Sequence, residues 1–173
     1  MHIFLQGPIH IGKSTIIRKT ITLLSKTKPL SLAGFYTYRG ENGDPFVYII
    51  DAQPSPASEA FPVAKMNDHG MGAIYQDVFD EKGVQFLKKV DSADLICMDE
   101  LGFLESESLL FQEQVFHCLN GNTPILGVLR DREIPWHKPI KTHPEVSILR
   151  VNEENRNDLP ERIRTLFGWP LLA

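Results

Sequence analysis

One short segment near the start of the chain carries residue types suited to binding phosphate. Residues 7–14, Gly-Pro-Ile-His-Ile-Gly-Lys-Ser, fit the pattern G-x-x-x-x-G-K-[ST]. Gly7 and Gly12 lack the Cβ atoms that would keep the backbone away from a phosphate. Lys13 offers a positive charge, and the Ser14 hydroxyl can complete a Mg²⁺ shell. The pattern predicts a nucleotide-binding loop made of Gly7, Pro8, Ile9, His10, Ile11, Gly12, Lys13, Ser14 and Thr15.

The flanks of this loop distinguish a phosphate site from a glycine-rich turn that happens to precede a helix. Phosphate binding needs backbone N–H groups that converge at a helix N-terminus after a strand. Residues 3–5 form a short apolar run before the loop. After the loop, Ile17, Ile21 and Leu24 recur at the spacing of one helix face. Both flanks therefore favour phosphate binding.

Two adjacent acids follow a second apolar run. Residues 95–98, Leu-Ile-Cys-Met, suit a strand that is buried on both faces of a parallel sheet. Acids at its carboxyl end face the crevice where open α/β sheets bind ligands. We predict that Asp99 acts with Ser14 on Mg²⁺, and that Glu100 orients or deprotonates an attacking water. The alternative is a strand that ends in solvated carboxylates.

A basic residue follows a third predicted strand, over residues 124–129. Arg130 stands at the carboxyl end of this strand, where one arginine can stabilise charge on a transferring phosphoryl group. Together with Lys13 and Glu100 it completes the predicted catalytic set. The alternative is a solvated ion pair between Arg130 and Asp131.

Other titratable side chains are predicted to be solvated. Glu105 fits the N-terminal turn of a helix over residues 106–119, where negative charge complements the helix dipole. Residues 133–145 are rich in Pro and His and are predicted to form a mobile loop. His137 and His143 in this loop lack the spacing of a metal site, so both are expected to face solvent.

The remaining pattern predicts alternating strands and helices with one inserted β-hairpin. Residues 34–39 and 46–51 are rich in aromatic and β-branched types and flank an Asn-Gly turn, which is the strongest hairpin signal in the chain. Residues 81–90 are predicted to form a helix, whereas residues 63–75 fit no single element. A last strand is expected over residues 147–151, with a terminal helix after it.

Size and charge exclude several classes of protein. A chain of 173 residues fits one domain with a sizeable core. A net charge of −4 and a pI near 5.8 argue against an extended nucleic-acid surface. No apolar run approaches the ~20 residues that cross a bilayer. We expect a single domain over residues 1–173 that is cytoplasmic and monomeric, with neither membrane nor nucleic acid as a partner.

Several motifs together carry a family resemblance. They are the loop Gly-Pro-Ile-His-Ile-Gly-Lys-Ser-Thr, the Gly-Phe-Tyr-Thr run at residues 34–37, residues 98–105 and the pair Asn155-Arg156 before the last helix. With these in place, nearly the whole chain resembles the thermophile-type small P-loop nucleoside-triphosphatases, which include the vertebrate cancer-related nucleoside-triphosphatase. In two places the chain departs from the family pattern. Phe103 stands where a lysine is usual, and Tyr38-Arg39 replaces an acid.

This resemblance implies a fold and an activity. The fold is a three-layer α/β sandwich with a mostly parallel, RecA-like sheet and an inserted β-hairpin. The activity is Mg²⁺-dependent hydrolysis of ATP, GTP and other triphosphates with loose base preference. Two alternatives stay open at this stage. One is a kinase that passes the γ-phosphate to an acceptor, and the other is a binding module gated by nucleotide without catalysis.

Overall fold

One eight-stranded sheet organises the computed structural model, which describes residues 1–170. The strands are β1 (His2–Gln6), β2 (Leu32–Arg39), β3 (Phe46–Asp51), β4 (Phe61–Asn67), β5 (Gly70–Ile74), β6 (Leu95–Leu101), β7 (Ile125–Leu129) and β8 (Val146–Arg150). Their order across the sheet is β5-β4-β3-β2-β6-β7-β1-β8. The expected α/β architecture is therefore confirmed.

Parallel pairing dominates the half of the sheet that carries β1. Strand β1 lies between β7 and β8 and is parallel to both, and β6 is parallel to β2 and β7. The apolar runs of β1, β6 and β7 are buried on both faces, which is why they read as continuous rather than alternating patterns. Strand β6 also contains a cis peptide bond between Asp99 and Glu100.

Antiparallel pairing forms the other half. Strands β2, β3, β4 and β5 follow one another as a meander. The predicted turn between β2 and β3 is present, with positive φ angles at Asn42 and Gly43, the conformation that Asn-Gly sequences favour. Residues 63–75, which fit no single element in the sequence, form most of β4 and β5. The predicted hairpin is thus the first half of a larger antiparallel unit.

Helices cover both faces of the sheet. They are α1 (Lys13–Ser25), α2 (Gln76–Val78), α3 (Val84–Leu87), α4 (Leu109–Leu119), α5 (Lys138–Thr142) and α6 (Leu159–Leu166). Successive residues of β1 point to opposite faces: Ile3 packs with α1 and α6, and Phe4 packs in the cluster that contains residues of α3 and α4. The result is the expected three-layer sandwich. Within the described part of the chain, no helix is long and apolar enough to cross a membrane.

Two predicted helices differ from the observed ones. The helix predicted over residues 81–90 is part of a longer helical run, in which a π-helical turn (Phe79–Gly83) and a 3₁₀ turn (Lys88–Ser92) flank α3. The helix predicted from residue 106 begins at Leu109. In α4 the apolar side chain of Leu110 is 58% exposed, whereas Gln112 is buried and its amide donates to the carbonyls of Glu105 and Ser106.

The segment predicted as a mobile loop is ordered and packed. Residues 133–145 contain a 3₁₀ turn (Pro135–His137) followed by α5, and Trp136 and Ile140 are buried. The indole Nε1 of Trp136 donates to the carbonyl of Gly102 at 2.9 Å. His137 is fully buried, so its predicted exposure was wrong, and burial lowers its pKa to about 4. Apolar residues interleaved with Pro and His anchor this segment.

Candidate active site

The loop between β1 and α1 has the backbone geometry that its glycines predict. Gly12 has φ of +103°, a conformation that residues with a Cβ rarely adopt. A Cβ on Gly7 would lie 2.7 Å from the carbonyl oxygen of Val151, so that position needs glycine for a different reason, a close contact with the chain after β8. His10 also has a positive φ, of 64°. Such alternation of backbone conformation is typical of anion-binding loops.

Lys13 folds back over this loop. It is 8% exposed, and its Nζ donates to the carbonyl oxygens of Gly7 and Pro8, both at 2.8 Å. Burial lowers the pKa of Lys13, while the negative charge of Glu100 opposes that effect. The ammonium group is therefore held above the loop by two backbone carbonyls, in the region where the sequence predicts phosphate.

Ser14 and Asp99 meet at the start of α1. The Ser14 hydroxyl donates to Asp99 Oδ1 at 3.1 Å, and Asp99 is 2% exposed, with a pKa that burial raises to about 6. A hydroxyl and a carboxylate are oxygen ligands of the type that Mg²⁺ prefers. Residues 1–170 contain no cluster of three or more His, Cys, Asp or Glu that could hold a metal ion. The pair fits a Mg²⁺ ion that takes its other ligands from phosphate and water.

Glu100 and Arg130 form an ion pair across the ends of β6 and β7. Arg130 Nη1 donates to Glu100 Oε1 at 2.8 Å, and both side chains are partly exposed. The alternative partner of Arg130, Asp131, instead accepts from Arg150 at 2.7 Å. The structure thus brings together two residues that are separated by thirty positions in the sequence and that were predicted to act on the same phosphate.

These side chains share one cavity of about 330 Å³. Its lining consists of Ile9, His10, Gly12, Lys13, Ser14, Thr15, Glu100 and Arg130. Asp99 lies beneath it, in contact with Ser14. Most of the predicted site residues therefore lie together at the carboxyl edge of the parallel strands, where α/β sheets bind their ligands.

A second cavity of about 640 Å³ adjoins the first. Residues common to both are Ile9 and His10, and the second is also lined by Asp131, Arg150 and the chain after β8. Sequence reasoning did not single out Arg150. Arg150 could have been predicted from its position at the end of a strand next to β1, because the ends of parallel strands share one edge.

Glu105 was predicted to be solvated and is instead 1% exposed. Its Oε2 accepts from the backbone N–H of Gly102 at 2.9 Å, which closes the turn that follows β6. Burial raises the pKa of Glu105 to about 7. The prediction failed because Trp136 and Gln112 pack over this turn through their hydrogen bonds to Gly102 and Glu105, a tertiary contact that the local sequence does not reveal.

The first strand and the first helix of the α/β sheet are joined by a G-x-x-x-x-G-K-S loop, and an acid at the end of β6 contacts the serine of this loop. These features define a P-loop nucleotide-binding protein. A sequence model of the protein family described as NTPase matches residues 2–164. The chain belongs to this family of nucleoside-triphosphatases.

Known relatives match over nearly their full length. Nucleoside-triphosphatase THEP1 of Natranaerobius thermophilus is 30% identical over 176 residues, which cover 94% of this chain and 93% of that protein. The human cancer-related nucleoside-triphosphatase is 28% identical over 91% of this chain and 92% of its own. The resemblance noted in the sequence is therefore confirmed.

Solved structures show the same fold. The solution structure of a human cancer-related nucleoside triphosphatase superposes with a TM-score of 0.78 at 22% identity and covers 99% of both chains. The crystal structure of THEP1 from Aquifex aeolicus gives a TM-score of 0.76 at 22% identity, over 96% of this chain and 98% of that one.

Proposed function

We propose that this protein removes the terminal phosphate of nucleoside triphosphates by Mg²⁺-dependent attack of water. One observation carries the proposal. Lys13, Ser14, Glu100 and Arg130 line a single cavity, so a phosphate cradle, a carboxylate and a second cation face the same small volume. Phosphoryl transfer needs this combination because catalysis depends on positioning and on charge stabilisation.

Binding is assigned to the loop and to Lys13. Backbone N–H groups at the N-terminus of α1 would receive the phosphate, because the helix dipole favours negative charge there. The Lys13 ammonium is held by two carbonyl oxygens, and phosphate oxygens compete for the same protons with a full negative charge. The β- and γ-phosphates are thus the groups that Lys13 would hold.

Ser14 and Asp99 are the residues that would hold Mg²⁺. When bound, the ion neutralises charge that develops on the phosphate oxygens. The Ser14 hydroxyl orients the Asp99 carboxylate by direct donation at 3.1 Å, and Asp99 is nearly inaccessible to solvent.

Hydrolysis is assigned to Glu100 and Arg130. The water oxygen forms a bond to the γ-phosphorus, the bond from that phosphorus to the β,γ-bridging oxygen breaks, and the water proton passes to the Glu100 carboxylate. The ion pair with Arg130 holds Glu100 at the cavity wall. The same guanidinium lies close enough to the cavity to stabilise negative charge on the transferring group.

Loose base preference is consistent with the second cavity. This cavity is lined by loop residues 7–11 but not by Lys13, and it has room for a nucleoside. Asn155 donates to the Arg150 carbonyl, and Asn152 and Asn155 accept from one another's backbone N–H. Both amide oxygens therefore already have a backbone donor, which leaves them less free to accept from the edge of a base.

The proposal is tested by following phosphate and nucleoside diphosphate released from ATP, GTP, CTP and UTP, with Mg²⁺ and with EDTA. We expect equal amounts of the two products from all four substrates, only with Mg²⁺ and without any acceptor. Turnover that requires a nucleoside monophosphate or another acceptor would make the protein a kinase. A nucleotide-dependent rise of the melting temperature with no turnover would make it a binding module.

A further inference from the structure

The segment that carries both acids leaves the regular pairing of the sheet. Residue pairing between β2 and β6 ends with Tyr36 opposite Asp99. On the other side, the register between β6 and β7 shifts between Met98 and Leu101. The peptide group that joins Asp99 to Glu100 therefore lies beyond the last β2 pair and within the irregular stretch facing β7. Bulged strands of this kind re-aim side chains next to active sites.

Thr37 supplies the hydrogen bonds for that peptide group. Its Oγ1 donates to the carbonyl oxygen of Asp99 at 3.2 Å and accepts from the N–H of Glu100 at 3.2 Å. Partly buried backbone groups need such partners, because an unpaired one costs free energy. One hydroxyl thus holds both polar groups of the peptide between the two acids.

The orientation of this peptide matters because its two side chains point at different targets. Asp99 receives the Ser14 hydroxyl at the start of α1, whereas Glu100 receives the Arg130 guanidinium beside β7. A rotation of the shared peptide would move both carboxylates at once. The group that fixes the peptide therefore acts on the proposed metal side and the proposed base side together.

Thr37 is itself placed by the rest of the Gly-Phe-Tyr-Thr run. A Cβ on Gly34 would lie 1.9 Å from the carbonyl oxygen of Cys97, so glycine lets β2 lie close against β6 at this point. Phe35 is fully buried and packs edge-on against Phe111 with 5.4 Å between ring centroids. The hydrogen bonds of the Thr37 side chain go to β6.

We propose that Thr37 is a positioning residue for hydrolysis: its hydroxyl fixes the Asp99–Glu100 peptide and so aims the two carboxylates. This inference rests on the proposed function, because it assumes that those carboxylates act on the substrate. A positioning residue changes kcat more than nucleotide affinity, since it acts on groups needed in the transition state.

The test compares Thr37→Val, which keeps the shape and removes the hydroxyl, with Thr37→Ser, which keeps the hydroxyl. We expect kcat to fall by about 10- to 100-fold in Thr37→Val and to stay within about threefold of wild type in Thr37→Ser. Binding of ATP in EDTA should be unchanged in both. Thr142→Val is the matched control, because Thr142 also donates to a backbone carbonyl, that of Lys138, but lies in α5. It should keep wild-type kcat.

A double-mutant cycle separates positioning from a general loss of stability. If Thr37 acts through the two carboxylates, Thr37→Val should lower the residual rate of the Asp99→Asn/Glu100→Gln double variant by less than about threefold. The full loss in that background, wild-type kcat in Thr37→Val, or equal losses in the Val and Ser variants would each overturn the proposal. If Thr37→Val does not fold, Thr37→Ala is used in its place, because it also lacks the hydroxyl. Wild-type turnover in Glu100→Gln would instead overturn the proposed base.

Discussion

The two halves of the sheet have different tasks. In the parallel half, β1, β6, β7 and β8 end at the same edge, and each of these ends contributes to the cavities that hold the candidate site. In the antiparallel half, neighbouring strands end at opposite edges, so their ends cannot converge. Only β2, which is parallel to β6 and antiparallel to β3, reaches the site, through Thr37.

Burial follows the same division. Strands β6 and β7 are buried along almost their whole length, whereas only Val63 and Ala64 are buried in β4 and every residue of β5 is at least partly exposed. A parallel strand that is covered on both faces leaves its carboxyl end as the main opening for chemistry. Catalysis should therefore be sensitive to changes at the ends of the parallel strands and at Thr37, and insensitive to changes in β3, β4 and β5.

The largest effect is expected at Lys13. Lys13→Ala removes the ammonium that the carbonyl oxygens of Gly7 and Pro8 hold over the loop, and kcat/KM should fall by at least about 10²-fold. Steady-state phosphate release measures this, with circular dichroism to verify the fold. Lys19→Ala, an exposed lysine on the same helix, is the control and should keep wild-type turnover. Equal rates in the two variants would show that the loop has no part in hydrolysis.

Asp99 can be compared with Asp94, an acid near the other end of β6. Asp99→Asn should raise the Mg²⁺ concentration for half-maximal activity by about 10- to 100-fold, while ATP affinity in EDTA stays the same. Asp94→Asn is the matched control, because Asp94 precedes the amino end of β6, where it accepts from Lys28. The activity of both variants is measured as a function of Mg²⁺ concentration. Identical curves would assign Asp99 a structural role only.

Glu105 gives a pH-dependent effect on stability. Its pKa is raised from 4.5 to about 7 in the folded protein, so between these pH values the folded state binds a proton that the unfolded state has lost. Stability should therefore fall as pH rises from about 4.5 to about 7. Glu105→Gln cannot ionise, and it should be more stable than wild type at pH 8 by on the order of 2 kcal/mol.

Urea unfolding of wild type and Glu105→Gln at pH 4.5 and pH 8 measures this difference. The two proteins should differ little at pH 4.5, because the buried carboxyl is then protonated. A difference that is the same at both pH values would contradict the assigned cause, the cost of ionising a carboxyl under the packed turn.

The smallest effect is expected in the antiparallel half. Tyr48 in β3 donates to Asp44 at 2.9 Å, and Tyr48→Phe removes this bond at the sheet surface. Stability should fall by less than about 1 kcal/mol, and kcat should not change. Thermal unfolding and phosphate release report the two quantities. A fall in kcat would break the distinction between the two halves.

Local patterns in the sequence were sufficient for much of the fold and for the position of the site. The loop at residues 7–14 could be read because its backbone geometry demands particular residue types at fixed spacing. The acids near the carboxyl end of β6 could be predicted because an uninterrupted apolar run indicates a strand buried on both faces. The hairpin turn at Asn42-Gly43 followed from the φ angles that it needs.

The burial of single polar residues could not be predicted from the sequence. Glu105 and His137 carry side chains that are usually solvated, and only the packing of Trp136 and Gln112 over the turn after β6 explains why Glu105 is covered. Strands β4 and β5 were missed because β4 contains a proline and β5 is short and contains two glycines, which weakens any strand pattern. The pairing of Arg130 with Glu100 rather than Asp131 depends on the neighbouring positions of β6 and β7, which is a property of the topology.

We propose that Glu100, at the carboxyl end of the parallel strands, is the base in hydrolysis of the γ-phosphate. The most direct test measures phosphate release from Mg²⁺·ATP and ATP affinity in Glu100→Gln, which keeps the side-chain shape but loses the carboxylate. Affinity should be retained, and the rate should fall by about 10²- to 10⁴-fold. Phosphate release at the wild-type rate in this variant would contradict the proposal.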